Sequence, residues 1–286
     1  MGNRANIVKL GLLLALGGCD AGSTSAGVPA PSSAIELRAL LPADANPVGV
    51  AITPAGKRYV LDQNSGLYRI DDGKSALVFN TSGLRDLQFT DVVALGETRF
   101  AVTAENDGFL LDLSTGSFSS YFCYLPSPPQ AGSGEGPSPA VAPVSISQTL
   151  QLAGVSVSQR TEAVAFNPST GQLFAQPRTT RLDTGSIAGS ELFVFGQAGG
   201  EPIQVLPFSD LAFVAGGMAT VSGDRLLLGS GSALYEAGLD GSLNRVQELD
   251  ASLDISGMAR APDGALWLLD GKGRRLLELD DQLQFR

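Results

Sequence analysis

The 286-residue chain contains no histidine, and that absence removes most side-chain chemistry from it. A Ser-His-Asp or Cys-His device needs an imidazole to take and return a proton, and zinc sites of usual composition lean on His and Cys. The glycine-rich runs GQAGG (196–200) and GSGS (229–232) lie in hairpin-like stretches with no following helix to cradle a phosphate. DDGKSALVF (71–79) fails as a P-loop for the same reason. Cys123 sits in the apolar stretch SSYFCYLP with no basic neighbour, the setting of an inert buried thiol. Trp267 falls within a strand-like run and reads as core. What remains is oxygen chemistry. Carboxylates and amides suit a hard cation such as calcium, and ENDG (105–108) has the composition of a calcium loop without the rest of its ligand spacing. The competing reading is that Asn and Asp cap turns through local hydrogen bonds.

Charge and the N-terminus set the surroundings. The net charge is −10, with no visible Lys/Arg cluster, which argues against a nucleic-acid partner and against charge-driven attraction to anionic lipid. Residues 1–18 read as a signal peptide, with a basic start carrying Arg4 and Lys9 and a short apolar run, LGLLLAL, well below the roughly 20 residues that span a bilayer. Leu16-Gly17-Gly18-Cys19 resembles the lipobox of bacterial lipoproteins. That resemblance implies lipidation of Cys19, cleavage in front of it, and a stable multi-chain membrane anchor. Removal of the leader leaves 17 basic against 29 acidic residues, a net of −12. It also leaves Cys123 without an intramolecular disulfide partner. Asp20 resembles the inner-membrane retention signal of enteric bacteria. Residues 19–34, rich in Ser, Ala, Gly and Pro, read as a flexible tether. The expected location is the bacterial cell envelope, facing the periplasm or the cell exterior.

The body of the chain, 35–286, is organised by a repeat. At an offset of 208 positions, Gly49 maps to Gly257, Ala51 to Ala259, Pro54 to Pro262, Gly56 to Gly264, Leu61 to Leu269 and Asp62 to Asp270. Each unit runs as a small-residue apolar strand, a Pro/Gly turn, an apolar strand, a polar turn and a third apolar strand. Recurring β-meanders of this kind signal an all-β β-propeller. Inner strands begin near residues 48, 90, 162, 216 and 256, which favours five blades, with six as the alternative. Residues 126–144 are low-complexity and read as a loop. Residues 145–159 suit an extra hairpin or fragments of a degenerate blade, and 177–189 reads as a long loop inside the third meander. IELRALL (35–41) has no blade of its own. It is expected to pair beside Arg274–Asp280 and close the ring, with the C-terminal LQFR competing for that edge.

TEAVAFNPSTGQLFAQ (161–176) and SGMARAPDGALWLLDGKGRRLLELD (256–280) resemble the repeat of the NHL, SdiA-regulated and gluconolactonase-like propellers of bacteria. The resemblance covers roughly 45–280, and its motifs are structural. It implies a site where the inner strands begin, around the channel mouth. Asn46, Asp91, Glu162 and Asp254 stand at strand starts, with Asn64, Glu105, Asn106, Asp107 and Asp270 in or beside the adjoining loops. Gluconolactonase-like enzymes hold a divalent cation there with an Asp as base, so Asn64, Asp91, Glu105, Asn106, Glu162, Asp254 and Asp270 become candidate ligand or metal residues, Ca2+ being the implied ion. The family's metal-binding Glu precedes Gly-Pro, whereas Glu162 precedes Ala-Val. The function expected is therefore a lipid-anchored module that binds a protein partner or small ligand at the channel mouth. The alternative is a metal-dependent lactonase or esterase. Convergence of three or more of these oxygens on one point would favour the enzyme.

Overall fold

The computed structural model describes residues 34–286 apart from 85, 106, 124–149, 153–154, 186, 209–212 and 223–224, and describes the backbone alone at 150–152, 155–159, 181, 187–190 and 222. The 126–144 segment and Asn106 thus lie outside the described residues, as do the signal peptide and Cys19.

The strands form five antiparallel sheets among the described residues. β1 (Ala34–Glu36) precedes the first complete blade, which is β2 (Pro47–Ile52), β3 (Arg58–Asp62), β4 (Gly66–Asp71) and β5 (Lys74–Asn80). Blade 2 is β6 (Phe89–Ala94), β7 (Arg99–Ala104), β8 (Asp107–Asp112) and β9 (Ser117–Cys123). Blade 3 has five strands, β10 (Leu150–Leu152), β11 (Val155–Asn167), β12 (Gln172–Arg181), β13 (Ile187–Phe195) and β14 (Pro202–Pro207). Blade 4 is β15 (Gly217–Ser222), β16 (Arg225–Ser230), β17 (Ala233–Gly238) and β18 (Leu243–Glu248). Blade 5 is β19 (Ile255–Arg260), β20 (Leu266–Asp270) and β21 (Arg275–Leu279), with β1 as its fourth strand. The inner strands β2, β6, β11, β15 and β19 touch in sequence around the axis, and β19 returns to β2. The chain is a five-bladed β-propeller. No described helix is long and apolar enough to cross a membrane.

Burial explains the strand compositions. The second strand of a blade packs on both faces against neighbouring blades, so LWLLD of β20 is buried throughout and RYVLD of β3 nearly so. The outermost strand meets water, and KSALVFN of β5 is largely exposed or half-buried. Between consecutive blades lie apolar layers: Tyr59 against Phe100 between blades 1 and 2, Phe122 against Phe195 between blades 2 and 3, Phe174 with Met218 between blades 3 and 4, and Leu227 with Leu268 between blades 4 and 5. The layer joining blade 5 to blade 1 contains Val50, Val60 and Trp267, with the Arg58 guanidinium 5.2 Å from the Trp267 ring centre.

The ring is sealed as the terminal repeat implies. Ala34, Ile35 and Glu36 pair with Leu277, Leu276 and Arg275. The strand is shorter than 35–41, because the chain turns into a single 3-10 turn at Leu37–Ala39 that buries Leu37 completely. The two competitors for β21 share its outer edge: β1 takes 275–277, and Phe285 of the C-terminal segment bridges Leu279.

Blade 3 departs most from the reading of the sequence. Of the stretch 145–159, residues 145–149 and 153–154 lie outside the described residues. The rest forms the expected extra hairpin, β10 pairing antiparallel with the start of β11. It is no blade of its own, since β11, extended seven residues before Glu162, runs on as the inner strand of blade 3. The stretch 177–189 is mostly strand rather than loop, because β12 runs on to Arg181 and β13 starts at Ile187. The extension continues past a bulge between Thr161 and Ala163, and β10 pairs with it on the edge away from β12.

Candidate functional site

Inner strands run from an entry face, where the chain arrives from the previous blade, to an exit face, where the first hairpin turns. Four of the five share a bulge just after entry, at Val48, Thr90, Glu162 and Ser256. The residue after each bulge, with Gly217 of blade 4 as its counterpart, stands at the axis: Gly49, Asp91, Ala163, Gly217 and Gly257. These positions are small because backbones meet there. A Cβ on Gly257 would lie 2.9 Å from Val50 N and 3.0 Å from Gly49 Cα, and one on Gly217 would lie 2.8 Å from Met258 N. β19 reaches β6 across the axis, so the passage is narrow at this level.

Asp91 is the exception in that ring. Its side chain is wholly buried. Oδ2 accepts the backbone N–H of Val164 in blade 3 at 2.9 Å, and Oδ1 accepts that of Val92 at 2.8 Å. Gly49 leaves room for the carboxylate, since a Cβ there would sit 2.6 Å from Oδ1. Burial drives the Asp91 pKa well above the ordinary carboxylate value, against the pull of the two N–H donors. Thr103 supports the strand by donating its hydroxyl to Asp91 O at 3.2 Å, and its oxygen also lies 2.8 Å from the Thr90 hydroxyl. A buried carboxyl bridging two blades in this way acts as an axial plug.

The other acidic and amide candidates occupy separate places around the entry face. Asp270 is buried at the end of β20, where it accepts Gly273 N at 2.9 Å and Asp254 N at 3.3 Å and pairs with Arg275 at 2.9 Å. Its repeat counterpart Asp62 accepts the backbone N–H groups of Asn46 and Ser65 and the Ser65 hydroxyl. Both therefore staple a second hairpin to the segment entering the blade. Asp254 is itself exposed. Asn64 is exposed and donates Nδ2 to Asp44 O at 2.8 Å. Asn46 donates Nδ2 to Gln63 Oε1 at 2.6 Å.

Where blades 2 and 3 meet, the entry face does bring charges together. Glu162, on the bulge of β11, lies 3.7 Å from Arg178. Burial raises its pKa, while Arg160 and Arg178 pull it down. Thr161 N donates to Glu105 O at 2.6 Å, which places Glu105 beside this group. Burial, with Glu105 adding to it, raises the pKa of nearby Asp107. Glu105 takes a left-handed backbone with φ of 50°. Among the described residues no three His, Cys, Asp or Glu side chains stand together as a metal site. The described donors do not fit the calcium cage that the family resemblance implies.

The exit face is built differently and went unremarked in the sequence. Beyond the axial ring the inner strands open around a cavity of about 420 Å3. Three residues past each axial position stand Ile52, Ala94, Phe166, Thr220 and Arg260, all lining it. Pro54, Pro168 and Pro262 shape its rim in the first hairpin turns of blades 1, 3 and 5. The walls are mainly apolar, and several lining polar groups already have bonds at home. Thr53 Oγ1 accepts Lys57 N at 3.3 Å, Asn167 Oδ1 accepts Ser169 N at 2.9 Å, and Thr220 donates its hydroxyl to Phe166 O at 3.1 Å. An apolar concavity of this size with a few polar groups at its edge is the usual form of a small-molecule site. The signal for it was present in the sequence, since the offset that relates Gly49 to Gly257 also relates Pro54 to Pro262, read there only as a turn.

No protein-family model and no curated protein matches the chain. Solved structures with a similar course include a streptogramin B lyase, at 13% identity and a TM-score of 0.42, covering 88% of this chain and 71% of that one. The virginiamycin B lyase of Staphylococcus aureus aligns at 12% identity with a TM-score of 0.40, over 88% of this chain and 71% of its own. The aldose sugar dehydrogenase of Streptomyces coelicolor, solved with PQQ bound, aligns at 15% identity with a TM-score of 0.44, over 87% and 99% of the two chains. These likenesses carry no activity to the present protein.

Proposed function

We propose that this protein is a lipid-anchored, extracytoplasmic binding module, held to the membrane through Cys19 by a tether that ends where β1 begins at Ala34, and facing the periplasm or cell exterior. The NHL and SdiA-regulated type of propeller is the family reading closest to its repeat. The observation that carries the binding role is the exit-face cavity, an apolar well of about 420 Å3 whose hairpin-turn polar groups are largely satisfied. A rigid ring holds its geometry while the turns around it set what it accepts. The well offers no activated nucleophile, and the chain has no histidine to activate one. The metal-dependent lactonase or esterase alternative needs converging carboxylates at the entry face. There Asp91 is committed to backbone N–H groups, Asp270 to a hairpin and an arginine, and Glu162 to Arg178.

Two experiments test this reading. Cys19→Ser should move the protein from the membrane fraction to the soluble one, and unchanged partitioning would remove the anchor. Titration with the neutral dye Nile red should give saturable fluorescence that Ala94→Phe and Ala261→Phe, which fill the well from opposite sides, both abolish. Equal binding by the filled variants would remove the cavity as the site.

A further inference from the structure

The charge around the exit-face well is uneven. Its neighbours are paired among themselves: Arg286 lies 2.8 Å from Glu278 and 3.7 Å from Asp263, and Arg58 lies 2.7 Å from Asp72. Asp263 also accepts Ala265 N at 3.1 Å. Arg260 is different. It is exposed on the last residue of β19, lines the well, and makes no ion pair or side-chain hydrogen bond among the described residues. Its counterparts in the other blades are Ile52, Ala94, Phe166 and Thr220, the last with its hydroxyl turned to Phe166 O. One position in five therefore carries a cation, on a protein whose net charge is −10.

Accepting the cavity as a binding site, we propose that its ligand is a small aliphatic carboxylate, with the hydrocarbon in the well and the carboxylate on Arg260. The apolar walls gain from covering a hydrocarbon, in proportion to the area removed from water. A guanidinium fork matches the planar carboxylate with two parallel N–H···O bonds. A single cation on an acidic protein discriminates against polyanions, which the remaining field repels. A neutral hydrocarbon would leave Arg260 without a role, and a cationic amphiphile would meet it with like charge. The well is bounded by turns at its rim, so it suits a short chain rather than a long one.

The test is calorimetric titration of the full chain carrying Cys19→Ser, so that no acyl group of its own competes, with octanoate and with 1-octanol. Octanoate should bind more tightly than 1-octanol. Arg260→Ala, at an exposed position, should keep the wild-type melting temperature and weaken octanoate up to about fivefold while leaving 1-octanol unchanged. Ala261→Phe should remove both ligands, which separates binding in the well from binding elsewhere on the surface. If 1-octanol binds in the well but Arg260→Ala leaves octanoate untouched, the carboxylate assignment is wrong and the cavity stands. Should neither compound bind the parent protein, the cavity reading falls and this assignment with it.

Discussion

The two ends of the central passage are made from the same strands and behave as opposites. At the entry end, consecutive backbones approach until only Gly or Ala fits, and the one larger residue, Asp91, spends its oxygens on two backbone N–H groups. Three residues further on, the same strands have diverged enough to enclose about 420 Å3. The right-handed twist of strands packed around an axis requires such a difference, since lines crowded at one level must spread at another. The lesson concerns where to look for function. Asp91, the one acidic residue at the axis, has its oxygens taken up because backbones close in on it there, whereas the open end has the space that a ligand would need.

Added bulk should distinguish the two ends most sharply. Gly257→Val places side-chain atoms against Gly49 and Val50, and should cost about 3 kcal/mol or prevent folding, read as a lowered urea midpoint. A midpoint within error of the parent would mean that the axial contact is looser than described. Next in size is Asp91→Ala, which leaves the N–H groups of Val164 and Val92 without their acceptor and should cost about 1–3 kcal/mol in the same assay.

Asp91 also gives the entry end a pH signature. Its folded pKa lies above the unfolded value, so between the two the folded state holds more protons. Stability from this group is full below the unfolded value and is lost as pH rises through the folded one. Asp91→Asn removes that loss. The stability difference between Asp91→Asn and the parent should therefore shift in favour of the variant as pH is raised from about 4 toward neutrality. A difference constant with pH would show that folding leaves the carboxyl's affinity for its proton unchanged. The smallest effect belongs to the open end. Ala261→Phe should change stability by no more than about 0.5 kcal/mol while closing the well, and a large loss would mean that the space is already filled.

Much of this was legible in the repeat. The 208-residue offset pairs Gly49 with Gly257, and both prove to be axial contacts. It pairs Asp62 with Asp270, and both staple a hairpin, so the repeat itself argued for a structural Asp270 rather than a ligand. Asp91 was recognisable as a residue at a strand start. Its fate was not, because the offset relates only the first and last blades and nothing in it aligns Asp91 with their axial glycines. The long strands of blade 3 were hidden by Pro177 and by the polar run TTRLDTG, which read as a loop. In the ladder Pro177 stands opposite Thr161 at the bulge, where a missing N–H is tolerated. Arg260 was invisible because its environment is assembled from five blades at once.

The seam of the ring has a mechanical consequence. Any pull on the N-terminus is applied first to β1, three residues laid along β21. Behind it, Leu37 is buried, Arg274 holds the carbonyls of Pro42 and Ala43 at 2.7 and 2.9 Å, and Ser75 bonds Leu40 O. Force arriving at this end would peel a short zipper and then meet a clasp before it reached blade 1. Because β1 is the edge strand of blade 5, such a load would strip it first and uncover the outer edge of β21 before the contacts of β19 with β2 bore any of it.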